Sequence, residues 1–115
     1  RTIQLAGKDV RVTVVATPED RAKGLGGREG LAKDEGMLFI FDSDAKHRFW
    51  MKDMRFPIDI LWISDKGEVV DIRETVSPST FPAVFAPNST ARYVLELPAG
   101  FAKENGVSIG QILRL

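Results

Sequence analysis

The chain is expected to fold as an all-β antiparallel sandwich or flattened barrel with one or two short helices. Three observations carry this expectation. Seven or eight short β-rich runs follow one another at close spacing. Most are separated by Gly, Asp or Pro turn signals that suit hairpins. Helix signals are confined to about residues 18–24 and 99–105.

Thr2-Ile3-Gln4-Leu5 and Val10-Arg11-Val12-Thr13-Val14-Val15 read as an opening hairpin around Ala6-Gly7-Lys8-Asp9. Thr17 can cap a helix, Pro18 fits its first position, and Glu19 and Asp20 suit the positive end of its dipole. That helix must be short, because Gly24, Gly26 and Gly27 follow almost at once. These glycines lack the following lysine and the strand–helix context of a phosphate loop, so a bend needing positive φ explains them better. Gly36 to Phe41 reads as a strand buried on both faces. Asp42 to Ala45 is then a turn, and His47 to Met51 the returning strand.

Ile58 to Ile63 and Glu68 to Thr75 flank Asp65-Lys66-Gly67, a strong hairpin signal. Residues 76–90 carry Pro78, Pro82 and Pro87 without clear periodicity and read as a long loop. Tyr93 to Leu97 is a further strand. Ala99 to Asn105 can form one or two helical turns ending at Gly106, and Ile109 to Leu113 a closing strand.

One domain over residues 1–115 is expected, long enough to bury a core without a metal or disulfide staple. Sixteen basic and sixteen acidic residues cancel, which leaves no global field to attract nucleic acid. No apolar run approaches the length needed to span a bilayer. The absence of cysteine excludes thiol catalysis, thiolate metal ligation and disulfides. With a single histidine besides, neither a metal nor another cofactor is expected. The chain starts at Arg1 without a methionine, as expected of a mature or trimmed form, and any export signal would lie before this residue.

Ordered blocks across the chain carry a resemblance. They are Gly24-Leu25-Gly26-Gly27-Arg28, Gly36-Met37-Leu38-Phe39, Trp50-Met51-Lys52, Pro57-Ile58-Asp59-Ile60-Leu61 and Tyr93-Val94-Leu95-Glu96-Leu97-Pro98-Ala99-Gly100, followed by Gly106 and Gly110. In this pattern, from about residue 13 to residue 113, the chain resembles the DUF192 family of small bacterial and archaeal domains. The resemblance implies a β-sandwich and, commonly, export to the periplasm, with the cytoplasm left open. It supplies no activity. One departure is visible, since Asp53-Met54 stands where the family usually shows a small polar pair such as Asn-Thr.

Phe49 to Ile63 is the densest stretch, with both tryptophans and all but one of the methionines. At a two-residue period Lys46, Arg48, Trp50 and Lys52 share one face. That face could stack a sugar or base on the indole while cations hold an anionic group. Alternatively, Arg48 and Lys52 lie across Trp50 and cover it. His47 reads as a packing residue, because no nucleophile or orienting acid stands beside it. Asp42-Ser43-Asp44 lacks the ligand spacing of a calcium loop and reads as a turn.

Asp59 and Glu96 each interrupt an apolar strand and need partners. Arg28, on the glycine-rich bend, is the expected partner of one or the other. The pair would pin the bend to the sheet, or the two acids would form a catalytic pair. The leading expectation is a non-enzymatic binding or accessory module for a small polar or anionic ligand or carbohydrate, built on Arg28, Trp50, Lys52, Asp59 and Glu96. The alternatives are a hydrolase using Asp59 and Glu96, or a protein-interaction domain using the 76–90 loop with Phe81 and Phe85.

Overall fold

The computed structural model describes residues 1–114. Helix makes up 12% of the chain, well under the third found in an average globular protein. Strands dominate, as expected. β1 (Thr2–Leu5) and β2 (Lys8–Val15) form the opening hairpin. Its turn is shorter than expected, with Ala6 and Gly7 both at positive φ (53° and 75°), the backbone a tight two-residue hairpin requires. α1 (Pro18–Lys23) starts where Thr17 accepts the Asp20 N–H at 3.1 Å.

β3 (Glu35–Ala45) follows and lies parallel to β2, the one parallel pairing in a sheet whose other pairs are antiparallel. The excursion 16–34, carrying α1 across, returns the chain to the same end of the sheet, which a hairpin cannot do. β4 (Phe49–Trp50), β5 (Ile58–Ile63), β6 (Val69–Val76), β7 (Val84–Phe85), β8 (Ala91–Pro98) and α2 (Phe101–Asn105) complete the elements. The main sheet runs β1-β2-β3-β8-β5-β6, and β4 pairs with β7 in a small second sheet.

Both faces of the main sheet are buried. Leu38, Leu61, Ile63, Leu95 and Leu97 face one core with the first hairpin, α2 and Leu113. Met37, Phe39, Ile58, Ile60, Trp62 and Val94 face another with Leu25 and Met51. β5 is therefore buried at every position. Gly36 is set by proximity, since a Cβ there would lie 2.8 Å from the Glu96 carbonyl oxygen on β8.

Three local expectations change. Asp42 to Ala45 continues β3, whose end is tied to β8 by an Arg92–Asp44 ion pair at 2.8 Å. The return strand is only Phe49–Trp50, and it pairs with β7 inside the expected 76–90 loop. Phe49 is drawn off the main sheet to pack edge-on against Phe39 and Trp62. The closing strand is reduced to isolated bridges, Glu68 with Ile112 and Gln4 with Arg114. These bridges link the two outer edges of the sheet without closing it into a barrel. Among the described residues, no helix is long and apolar enough to cross a membrane.

Candidate functional site

Beside β4 lies a cleft of about 890 Å³, lined by the C-terminal half of α1, the Gly24–Gly27 bend, the 48–55 segment and Glu96 of β8. Its construction starts at Leu25, buried in the second core, which draws the bend down onto the sheet. The bend is then stitched to the 52–53 turn, where Gly27 N–H donates to the Asp53 carbonyl at 3.0 Å. Gly26 is required at this approach, because an added Cβ would sit 2.9 Å from the Lys23 carbonyl oxygen.

Asp53 holds φ of 60°, a left-handed conformation that Asp and Asn enter more readily than most residues. Aspartate therefore suits the turn and places a carboxylate on the cleft wall.

Trp50, Lys52 and Glu96 line this cleft together with Arg48. Trp50 is 48% exposed. Lys52 Nζ stands 5.8 Å from its ring, within reach of a cation–π contact. Phe81 packs on the ring's flank with centroids 5.1 Å apart. Lys46 does not line the cleft, although strand period placed it on the same face. Arg21 and Arg55 also line the cleft, but each is already engaged. Arg21 donates to the Ala16 and Ile40 carbonyls and lies over Phe41, and Arg55 pairs with Glu29 at 2.9 Å. Among the described residues, Lys23, Arg48 and Lys52 make no ion pair.

Glu96 is 5% exposed, and burial pushes its carboxyl up from 4.5 to about 8. It sits in register with Met37 of β3 and Ile60 of β5. No described hydrogen bond or ion pair engages its carboxyl group.

Asp59 is placed elsewhere. It pairs with Leu97 while Ile60 pairs with Glu96, so the two acids project from opposite faces of the sheet. Fully buried, Asp59 accepts from Thr75 N–H (2.8 Å), Ala102 N–H (2.9 Å) and Gly100 N–H (3.2 Å). α2 has no side-chain cap of its own, and Asp59 supplies one from across the core. It also steadies Thr75, a β-branched residue at φ of 50°.

The expected ion pair of Arg28 with Asp59 or Glu96 does not form. Arg28 lines a separate hollow of about 540 Å³ on the β2 side of the bend. Backbone donors satisfy Asp59 in its place, and Leu25 rather than Arg28 holds the bend down.

Sequence reasoning passed over Asp71, a buried acid on β6 that accepts from Asn88 N–H at 2.8 Å and Arg73 at 3.3 Å. It ties the 86–88 segment to the sheet. The signal was present, since Asp71 interrupts the apolar run Val69-Val70-Asp71-Ile72 as Asp59 interrupts its own. His47 stacks on Phe41 with centroids 3.6 Å apart and receives the Trp62 indole N–H on its backbone carbonyl at 2.8 Å, a packing role. Among the described residues, no group of three or more His, Asp or Glu side chains is arranged to hold a metal ion.

The family model described as DUF192, "Uncharacterized ACR", matches residues 1–115. A crystal structure described as a "putative transcription regulator" from Sinorhizobium meliloti 1021 is 35% identical, with a TM-score of 0.92 over 98% of this chain and 91% of that one. A protein of unknown function from Novosphingobium aromaticivorans DSM 12444 is 24% identical, with a TM-score of 0.93 over 99% of this chain and 84% of that one. The second likeness speaks to fold alone. No curated protein matches the chain.

Proposed function

The chain belongs to the DUF192 family, and from that premise we propose a non-enzymatic binding module whose site is the cleft beside Trp50. The preferred ligand is a small anionic molecule with a flat face, of which a sugar acid is the model case. One observation carries the reading. A half-exposed indole stands at the cleft beside two cations, Arg48 and Lys52, that form no ion pair among the described residues, with Asp53 the one acid on the same 48–55 segment of the wall. Ring faces stack on indole, and cations hold a carboxylate. Trp50 stays 48% exposed with Lys52 Nζ 5.8 Å from its ring, so Lys52 does not seal it.

The separation of Asp59 and Glu96 onto opposite faces speaks against a two-carboxylate hydrolase, since both acids must flank one bond. Export from the cytoplasm rests on the family resemblance, and fractionation of cells expressing the full-length protein tests it.

The ligand test is a titration with D-galacturonate followed by tryptophan fluorescence. Trp62 is a confounder, because it packs on Phe49 of the cleft lining, and Trp50→Phe separates its signal from that of Trp50. A saturable change in the wild type that disappears in Trp50→Phe is expected. No change at millimolar sugar acid defeats the ligand class.

A second reading is favoured by the apolar patch of Trp50, Phe81 and Val84, each at least 44% exposed. Such a patch suits a protein surface. Sedimentation velocity distinguishes the two, because a self-associating patch gives a concentration-dependent mass that Val84→Asp abolishes.

A further inference from the structure

The carboxyl group of Glu96 has an unusual position. It lies on a central strand, is 5% exposed, and still forms part of the cleft lining. Its cross-strand neighbours, Met37 and Ile60, offer it nothing polar from their side chains. The charged groups that line the cleft come from two places. Arg21 and Lys23 rise from α1, and Arg48, Lys52, Asp53 and Arg55 from the 48–55 segment. None of them forms an ion pair with Glu96. A buried carboxylate without a partner is costly, so the group holds its proton.

On the reading of this cleft as a ligand site, we infer that Glu96 is its hydrogen-bond donor, a neutral carboxylic acid offered to an acceptor oxygen of the bound molecule. The charges choose between ligand classes. A ligand ammonium would have to approach Glu96 past the unpaired cations Lys23, Arg48 and Lys52 and then ionise a desolvated acid. A molecule with one anionic group and a neutral oxygen beyond it meets three unpaired cations against a single other cleft-wall acid, Asp53. Its anion stays with Arg48 and Lys52, and its hydroxyl, ring ether or carbonyl oxygen accepts from Glu96. A sugar acid has both features. Burial is the cause that lifts the Glu96 carboxyl to about 8, which agrees with a donor at neutral pH.

Calorimetric titration of D-galacturonate into the wild type, Glu96→Gln and Glu96→Ala at pH 6 and pH 9 tests the inference, with circular dichroism verifying each fold. Glu96→Gln shares every cation with the wild type and so corrects for their titration. If only the protonated acid binds, the wild type loses affinity about tenfold at pH 9 relative to that variant, given a carboxyl at about 8. Glu96→Gln keeps a weaker amide donor, binds less tightly at pH 6 and lacks the tenfold loss. Glu96→Ala binds more weakly still at pH 6.

Binding by the wild type and Glu96→Gln with one shared pH profile overturns the inference and leaves the cleft reading standing. Tighter wild-type binding at pH 9 than at pH 6, relative to Glu96→Gln, means that an ionised carboxylate meets the ligand, and also overturns it. No binding by any folded variant at either pH removes the sugar-acid reading and the inference with it.

Discussion

Replacing Glu96 by glutamine should remove a pH dependence of stability that the wild type carries. Burial holds the carboxyl at about 8 in the folded chain, against 4.5 for the ordinary group. Between these values the folded state keeps a proton that the unfolded state releases. Wild-type stability therefore falls as pH rises through this window and levels off above it. Glutamine does not titrate, so the stability of Glu96→Gln relative to wild type should grow with pH. The growing part of the difference is about 0.4 kcal/mol at pH 4.5, about 3 kcal/mol at pH 7 and about 5 kcal/mol at pH 9. A buried amide adds a constant offset, so the change with pH is the quantity to read. Urea unfolding of both proteins at these pH values, followed by the buried Trp62, measures it. A difference constant to within about 1 kcal/mol from pH 4.5 to pH 9 would refute the reasoning, because Glu96 would then be ionised in the folded chain or reached by water.

Asp59→Ala should cost roughly 3 kcal/mol or more in urea unfolding, since it strands the buried N–H donors that the carboxylate now satisfies. A loss below about 1 kcal/mol would mean that water caps α2 equally well. Leu25→Ala should cost roughly 2–5 kcal/mol and loosen the glycine-rich bend, read as faster amide exchange at Gly26 and Gly27. Arg28→Ala should change stability by less than about 1 kcal/mol, because the residue has no buried acid to leave behind. A penalty of roughly 3 kcal/mol or more would restore the buried pair as the anchor.

Much of the fold can be read from local chemistry. β-rich runs bounded by turn signals marked the strands at Thr2–Leu5, Ile58–Ile63 and Ala91–Pro98 to within a few residues, and Thr17-Pro18 marked the start of α1. Desolvation logic singled out Asp59 and Glu96 as buried acids, which they are. The same logic went wrong over partners. It looked for an opposite charge, whereas backbone N–H groups at a helix start and at Thr75 serve Asp59, and Glu96 has no charged partner among the described residues. The division of the 46–52 face between the cleft and solvent was also out of reach, because β4 pairs with a strand from the proline-rich segment.

By itself, the sequence determined most strands of the main sheet, two of the acids on apolar runs and where the bend falls, because these depend on the spacing of neighbouring side chains. Only the tertiary structure decided what those acids do. Glu96 meets Ile60 across the β5–β8 ladder, and Asp59 meets Leu97. A slip of one residue would exchange their faces, since side chains alternate along a strand with a period of two. That register is set by packing between strands far apart in the chain, which no local pattern of residues encodes. It sends Asp59 to cap α2 on one face and Glu96 to the cleft beside Trp50 on the other.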